Sequence, residues 1–282
     1  MTSKRYETDL LIIGLVIGSI ILGFGIGFIT EPGFYIIIPI NSAGIEMIII
    51  VLLIVISTIV ASLIMGYILG PLFLLIHTQV MGRRMEYVIQ EKPEPEIVKL
   101  TFKSFFPALL AVHLALLFGI NKNIIEAVVV DPNGIFAPLL TVLIIVIVSS
   151  FLSFAVFSPI WFLIDSGIIY SNREAVKSKR DPIELRSVGS WYMNELKGYA
   201  AIAVVISYIT FFIEMIIYFG PDMDMTAPLV LLLFPFIIMV LGLPSVLILE
   251  ATVNHRKRFM IKIAEKIGIT KRIGDPLKMY TK

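Results

Sequence analysis

Residues 135–164 read IFAPLLTVLIIVIVSSFLSFAVFSPIWFLI, which is thirty residues without one charged side chain. An α-helix rises about 1.5 Å per residue, so this segment is long enough to cross a hydrocarbon core of about 30 Å. The whole chain has the same character, with 58% hydrophobic residues, 16% charged residues and a mean hydropathy of +0.95. A water-soluble domain of this length would expose very large apolar patches. The sequence therefore predicts a protein whose solvent is lipid.

Five further apolar runs accompany this segment. They cover residues 10–30, 45–76, 104–120, 198–219 and 228–249. The first of them is not predicted to be a signal peptide, because a loop containing Gly and Pro leads from it directly into the next run. We predict an all-α, polytopic membrane protein with six transmembrane helices within residues 1–250, located in the plasma membrane.

The distribution of basic residues predicts the orientation. The segments 31–45, 121–134 and 220–227 contain one basic residue between them, Lys122, and the other 22 of the 23 Lys and Arg residues lie in the alternate loops and the two tails. Lys and Arg are retained on the cytoplasmic side of short loops. Both termini are therefore predicted to be cytoplasmic.

A threefold pattern runs through the even-numbered predicted helices. Each carries a proline near its cytoplasmic end and a polar residue six positions later: Pro71 with His77, Pro159 with Asp165, and Pro244 with Glu250. Proline inside a helix removes a backbone hydrogen bond and favours a kink. Motifs that favour the start of a helix follow at 94–96, 181–184 and 275–277. We predict three tandem hairpin repeats, at about 1–90, 91–180 and 181–282, each with a cytoplasmic helical elbow.

The three polar residues of this pattern are candidates for chemistry. If the repeats close into a pseudo-threefold bundle, His77, Asp165 and Glu250 occupy equivalent positions and form a ring at the cytoplasmic mouth. One imidazole and two carboxylates could bind a cation or exchange protons. The alternative is that each residue simply lies in the headgroup layer, where polar side chains cost little.

Two ionisable residues lie within predicted spans. His113 is at the middle of the run 104–120, and Glu214 is within the run 198–219. Ionisable groups at such depth are rare and are candidates for function, here as a proton-coupled pair. A neutral His113 that is hydrogen-bonded across the bundle is the structural alternative.

Glycines in the first run predict close helix packing. Gly14 and Gly18 are four residues apart, which lets a second helix approach closely. This spacing favours packing within the bundle or a homo-oligomer.

The tail, residues 251–282, begins with a predicted basic amphipathic helix at about 251–268. Its basic residues, predicted to bind anionic lipid headgroups at about 1 kcal/mol each, are Arg256, Lys257, Arg258, Lys262 and Lys266. Docking to a partner membrane subunit is the alternative. Nucleic acid is not a predicted partner, because the positive-inside rule already explains the basic residues.

No motif of a known enzyme class is present, and the chain has no cysteine. We predict no catalytic residue and no cofactor, and the sequence identifies no metal site. Two functions remain. The first is a small ion- or proton-coupled transporter or channel built from three hairpins, and the second is a noncatalytic membrane subunit or scaffold that binds lipids or partner membrane proteins.

Overall fold

A computed structural model describes most of the second half of the chain and parts of the first. The described ranges are residues 51–82, 84–91, 103–119, 136–178, 185–219 and 226–274, with the backbone alone at 136–143, 175, 177–178, 218–219 and 226–231. The run 10–30 with Gly14 and Gly18, and the predicted elbow starts at 94–96, 181–184 and 275–277, lie outside these residues.

The described chain is mostly helical. Its helices are α1 (Val51–Met81, with a π-helical turn at Ala61–Met65), α2 (Phe105–Leu117), α3 (Phe136–Ser166), α4 (Arg173–Ser178), α5 (Val188–Phe219), α6 (Thr226–Ala251) and α7 (Val253–Lys266). Four of these, α1, α3, α5 and α6, are long and apolar enough to cross a membrane. The mostly helical structure and these four apolar helices confirm the prediction of a helical membrane protein. The six spans and the three hairpin repeats stay predictions.

The helix α2 differs from the other predicted spans in length. It has 13 residues, which rise only about 20 Å at 1.5 Å each. That length is shorter than the hydrocarbon core of about 30 Å.

A small β-sheet, which the sequence analysis did not predict, accompanies the helices. Its strands are β1 (Met85–Gln90), β2 (Ile168–Asn172), β3 (Arg186–Ser187) and β4 (Arg272–Ile273). The strand order is β3-β2-β1-β4. The pairs β1–β2 and β2–β3 are antiparallel, and β1–β4 is parallel. Extended strands therefore follow α1 and α3 directly, and the helical elbows, whose predicted starts lie outside the described residues, stay predictions.

The chain divides into two compact units. Among the described residues, the first, here called the helical unit, comprises 51–58, 103–119, 136–153, 200–219 and 226–246; the second, the sheet-bearing unit, comprises 59–82, 84–91, 154–178, 185–199 and 247–274. The units draw on different parts of the same long helices.

The core of the helical unit is centred on α2. Small residues on this helix, Ala108, Ala111 and Ala115, are fully or almost fully buried. They pack in one apolar cluster with Phe211 of α5 and Ile238 of α6. Alanine at spacings of three and four gives a helix a narrow face against which large side chains of other helices can pack.

The core of the sheet-bearing unit joins helix ends to strands. Val88 and Ile168 are fully buried in the two central strands. The chain passes from α3 to β2 through Gly167, whose φ of 71° is accessible to glycine at little cost. The Gly167 carbonyl then accepts from the Gln90 N–H at 2.8 Å, which ties the turn to β1.

The prolines of the threefold pattern lie inside continuous helices. Pro71 is within α1, Pro159 within α3 and Pro244 within α6. A strand follows α1 and α3, whereas α7 separates α6 from β4. The segments after the three helices thus differ in structure.

Candidate functional site

A buried ion pair joins the end of α3 to α7. Arg256 Nη1 donates to Asp165 Oδ2 at 2.7 Å, and the exposed fractions of the two side chains are 0% and 13%. Nη2 donates to the carbonyl of Leu249, and the guanidinium lies 4.9 Å from the ring centroid of Phe162. A buried charge is tolerated when it has a charged partner and further hydrogen bonds. Asp165 is the charged partner of Arg256, and the Leu249 carbonyl supplies a further hydrogen bond to the guanidinium.

This ion pair corrects one predicted lipid contact. Arg256 was assigned to the headgroup-binding face of the amphipathic helix, but its side chain is fully buried and is directed at protein groups. A guanidinium in that position is not available to lipid. The sequence could not show this, because its partner lies 91 residues away.

His77 lies in an aromatic cluster of the sheet-bearing unit. Its ring centroid is within 4.9–5.8 Å of four aromatic rings, those of Tyr87, Tyr170, Trp191 and Tyr192. The hydroxyl of Tyr87 forms a hydrogen bond of 3.0 Å with Nδ1 of His77. Within the described part of the chain, the buried Nε2 of His77 has no hydrogen-bond partner.

The environment of Tyr87 keeps its hydroxyl neutral. Burial raises the pKa of Tyr87, and the neighbouring Tyr170 and Tyr192 raise it further. A neutral phenol can donate a hydrogen bond as well as accept one. Tyr87 is therefore suited to hold the His77 ring in place.

The predicted ring of His77, Asp165 and Glu250 is not formed as a metal site. Over the described residues, no group of three or more His, Asp or Glu side chains could hold a metal ion. His77 has aromatic neighbours, and Asp165 has Arg256. Glu250 is half-buried near the end of α6. The neighbours of His77 and Asp165 thus differ, and the equivalence of the three positions stays a prediction.

His113 joins two helices of the helical unit. A hydrogen bond of 2.7 Å connects His113 Nδ1 on α2 with Ser207 Oγ on α5. This is a bond across the bundle, as in the structural alternative stated for His113. Glu214 is half-buried on α5, seven residues after Ser207, which is about two turns farther along the helix.

The remaining basic residues of the amphipathic helix differ in exposure. Arg258, Lys262 and Lys266 are exposed on α7. Lys257 is partly buried, and its Nζ donates to the carbonyl of Glu91 at 2.8 Å. Burial lowers the pKa of Lys257, while the neighbouring negative charges of Asp165 and Glu91 oppose this effect.

Sequence reasoning missed the residues that the sheet contributes. Tyr87 and Tyr170 face each other across β1 and β2 in the strand register, and Arg173 follows directly after β2. The signal was the pair of short segments MEYVIQ and IIYSN, which are rich in β-branched and aromatic residues.

The fold and these contacts define the chain as a helical membrane protein with a small sheet. Comparison with models of protein families, with curated proteins and with solved structures finds no match for it.

Proposed function

We propose that this chain is a noncatalytic membrane scaffold that binds anionic lipid headgroups through a basic stripe on α7. The observation that supports this proposal is the division of α7 into two faces. Arg256, Met260 and Ala264 are buried, and they recur every four residues. An exposed cation lies two residues after each of these buried residues. These three cations, here called the basic stripe, are Arg258, Lys262 and Lys266.

The two faces lie on nearly opposite sides of the helix. Successive residues of an α-helix are rotated by about 100°, so positions two apart differ by about 200°. The buried face therefore holds α7 in the sheet-bearing unit, while the basic stripe is directed away from it. Each cation near an anionic surface contributes about 1 kcal/mol at physiological salt.

The position of α7 along the chain supports contact with headgroups. It begins at Val253, two residues after the spanning helix α6 ends at Ala251. A basic segment directly after a spanning helix is the usual location for electrostatic contact with anionic lipids.

Internal bonds of the ionisable candidates favour a scaffold over a transporter. Asp165 is paired with Arg256, and His113 is bonded to Ser207. A residue that relays ions or protons must exchange partners during transport, and these residues already have partners within the protein.

Transport is the second candidate function, and one observation favours it. Ser149 and Ser150 of α3 are fully buried. Within the described residues, their hydroxyls have no hydrogen-bond partner. Unsatisfied hydroxyls in an apolar region are costly, and water in a permeation path would satisfy them.

Thermal unfolding of the protein in nanodiscs tests the basic stripe. We expect phosphatidylglycerol to raise the unfolding midpoint relative to phosphatidylcholine, and the triple variant Arg258→Gln/Lys262→Gln/Lys266→Gln to lose most of this shift. The charge-conserving variant Arg258→Lys/Lys262→Arg/Lys266→Arg is the matched control and should retain it. High salt should reduce the shift of the wild type, because salt screens exposed charges.

An equal midpoint in both lipids, or a full shift in the triple Gln variant, would refute headgroup binding by the stripe. Ion flux is measured with the same protein in liposomes. A flux above that of empty liposomes would favour transport over the scaffold.

A further inference from the structure

A cleft of about 360 Å³ opens beside β1 in the sheet-bearing unit. Thr78 of α1, Met85 and Tyr87 of β1, and Arg173 of α4 contribute to its wall. The turn after α7, residues 267–269, closes the other side. The proposed basic stripe of α7 contributes no residue to this cleft.

One wall of the cleft is an open strand edge. The Ile89 N–H donates to Lys271 on the β4 side at 2.9 Å, and the Gln90 N–H donates to Gly167 on the β2 side at 2.8 Å. Because backbone N–H groups alternate in direction along a strand, those of Met85 and Tyr87 face the β4 side. In the register of the described strands, β4 pairs with Ile89 and Gln90 only. The edge at Met85 and Tyr87 therefore presents backbone donors to the cleft.

The wall of the cleft carries one basic residue, Arg173, and one acidic residue, Glu86. Arg173 is exposed, and its guanidinium makes no hydrogen bond or ion pair with any residue that the structure describes. The one carboxylate in the wall, that of Glu86, is paired with Lys271 Nζ at 2.8 Å. A guanidinium that lines the same cleft as backbone N–H donors suits a group with several acceptor oxygens.

The cleft also has apolar parts and lies at the end of a membrane-length helix. Met85, Ile267 and Ile269 supply apolar surface. Thr78 belongs to the last turn of α1, which is long and apolar enough to span the bilayer. An amphiphile with an anionic head can therefore contact Arg173 and apolar side chains at the same time.

We propose that this cleft binds a phosphate group, which Arg173 and the open edge of β1 hold together. The phosphate can belong to a lipid headgroup or to a soluble phosphate ester. For a lipid headgroup, the proposal rests on the proposed function, namely that anionic lipid is a ligand of this protein. It adds a specific, saturable site to the electrostatic contact of the basic stripe.

A titration with two matched probes tests the cleft. Purified full-length protein in detergent, at a salt concentration that screens the basic stripe, is titrated with short-chain phosphatidic acid or with glycerol 3-phosphate. We expect saturable binding, weakened about ten-fold or more by Arg173→Gln, since this variant removes the charge-assisted hydrogen bonds of the guanidinium. Arg186→Gln, at β3 on the opposite edge of the sheet, is the control and should bind as the wild type does.

Both binding outcomes support the site and identify the source of the phosphate. Binding of phosphatidic acid alone indicates a lipid headgroup, and equal binding of glycerol 3-phosphate indicates a soluble ester. Ile267→Glu should also weaken binding, because it places a carboxylate in the wall while leaving Arg173 unchanged. A single symmetric peak in size-exclusion chromatography checks that each variant is folded.

Absence of saturable binding, or equal binding by the wild type and Arg173→Gln, would overturn the proposal. This failure is distinct from failure of the proposed function. The thermal shift in bilayers tests the basic stripe, and the titration in detergent at high salt tests the cleft.

Discussion

At the residue scale, the Asp165–Arg256 ion pair links the end of α3 to α7. Removing one member of a buried ion pair leaves an uncompensated charge, which costs about 3–5 kcal/mol. Asp165→Asn should therefore lower the free energy of unfolding by about this amount, because the guanidinium of Arg256 stays buried. Chemical denaturation in detergent, followed by circular dichroism, measures the change.

The matched control removes the charge of both residues. The double variant Asp165→Asn/Arg256→Met keeps an apolar side chain of similar length beside Phe162, so it should recover much of the lost stability. A single Asp165→Asn variant as stable as the wild type would contradict the structural role. In that case Asp165 would be available for transport.

At the same scale, the sequence pointed to individual residues but not to their partners. Asp165, His77 and Arg256 were all singled out, and all three are buried or nearly buried. Their neighbours could not be predicted, because the contacts depend on how distant segments pack. Arg256 had been placed with the lysines by its charge and helical position, and neither property reveals a carboxylate 91 residues earlier.

At the scale of elements, two glycines of α5 give opposite predictions. A Cβ at Gly189 would collide with the backbone of Ile164, whereas a Cβ at Gly198 would meet no atom within 4 Å. Gly189→Ala should destabilise the protein by about 1–3 kcal/mol through overpacking. Gly198→Ala should stabilise it by about 0.5–1 kcal/mol, because alanine favours the helix interior.

The same unfolding experiment measures both variants. Similar effects of the two substitutions would show that α5 does not pack against the end of α3 at Gly189. Because both changes add one methyl group to the same helix, each is a control for the other.

The long apolar helices were predictable and the strands were not. A run such as 135–164 needs no knowledge of its neighbours, since an apolar helix satisfies its own backbone hydrogen bonds and can face lipid directly. The strands have two to six residues, and their hydrogen bonds depend on segments far away in the sequence. The segment 85–90 also lacks a clean alternation of apolar and polar residues, because both Val88 and Ile89 are buried.

At the scale of the whole molecule, the number of spans determines whether the two termini lie on the same side. The chain has no native cysteine, so single cysteines can be introduced without background labelling. We expect Ser3→Cys and Lys262→Cys to react with a membrane-impermeant maleimide only after the cells are permeabilised. Asp222→Cys, in a predicted outer loop, is the control and should react in intact cells.

The short helix α2 makes this experiment informative. Its 13 residues rise about 20 Å, which is less than the hydrocarbon core. If α2 does not cross the bilayer and the other predicted runs do, the number of spans is odd. Labelling of Ser3→Cys and Lys262→Cys from opposite sides would then replace the prediction of six spans.

The sheet brings together strands from four separate parts of the chain, and this has a consequence for biogenesis. In particular, β4 at Arg272–Ile273 pairs with β1, which lies more than 180 residues earlier. During synthesis β4 leaves the ribosome only after α1, α3, α5 and α6 have been made, so the sheet cannot be completed before these four helices exist. Closure of the sheet therefore follows the synthesis of the four membrane-length helices that the structure describes, and until then Ile89 and Gln90 of β1 have no strand on the β4 side.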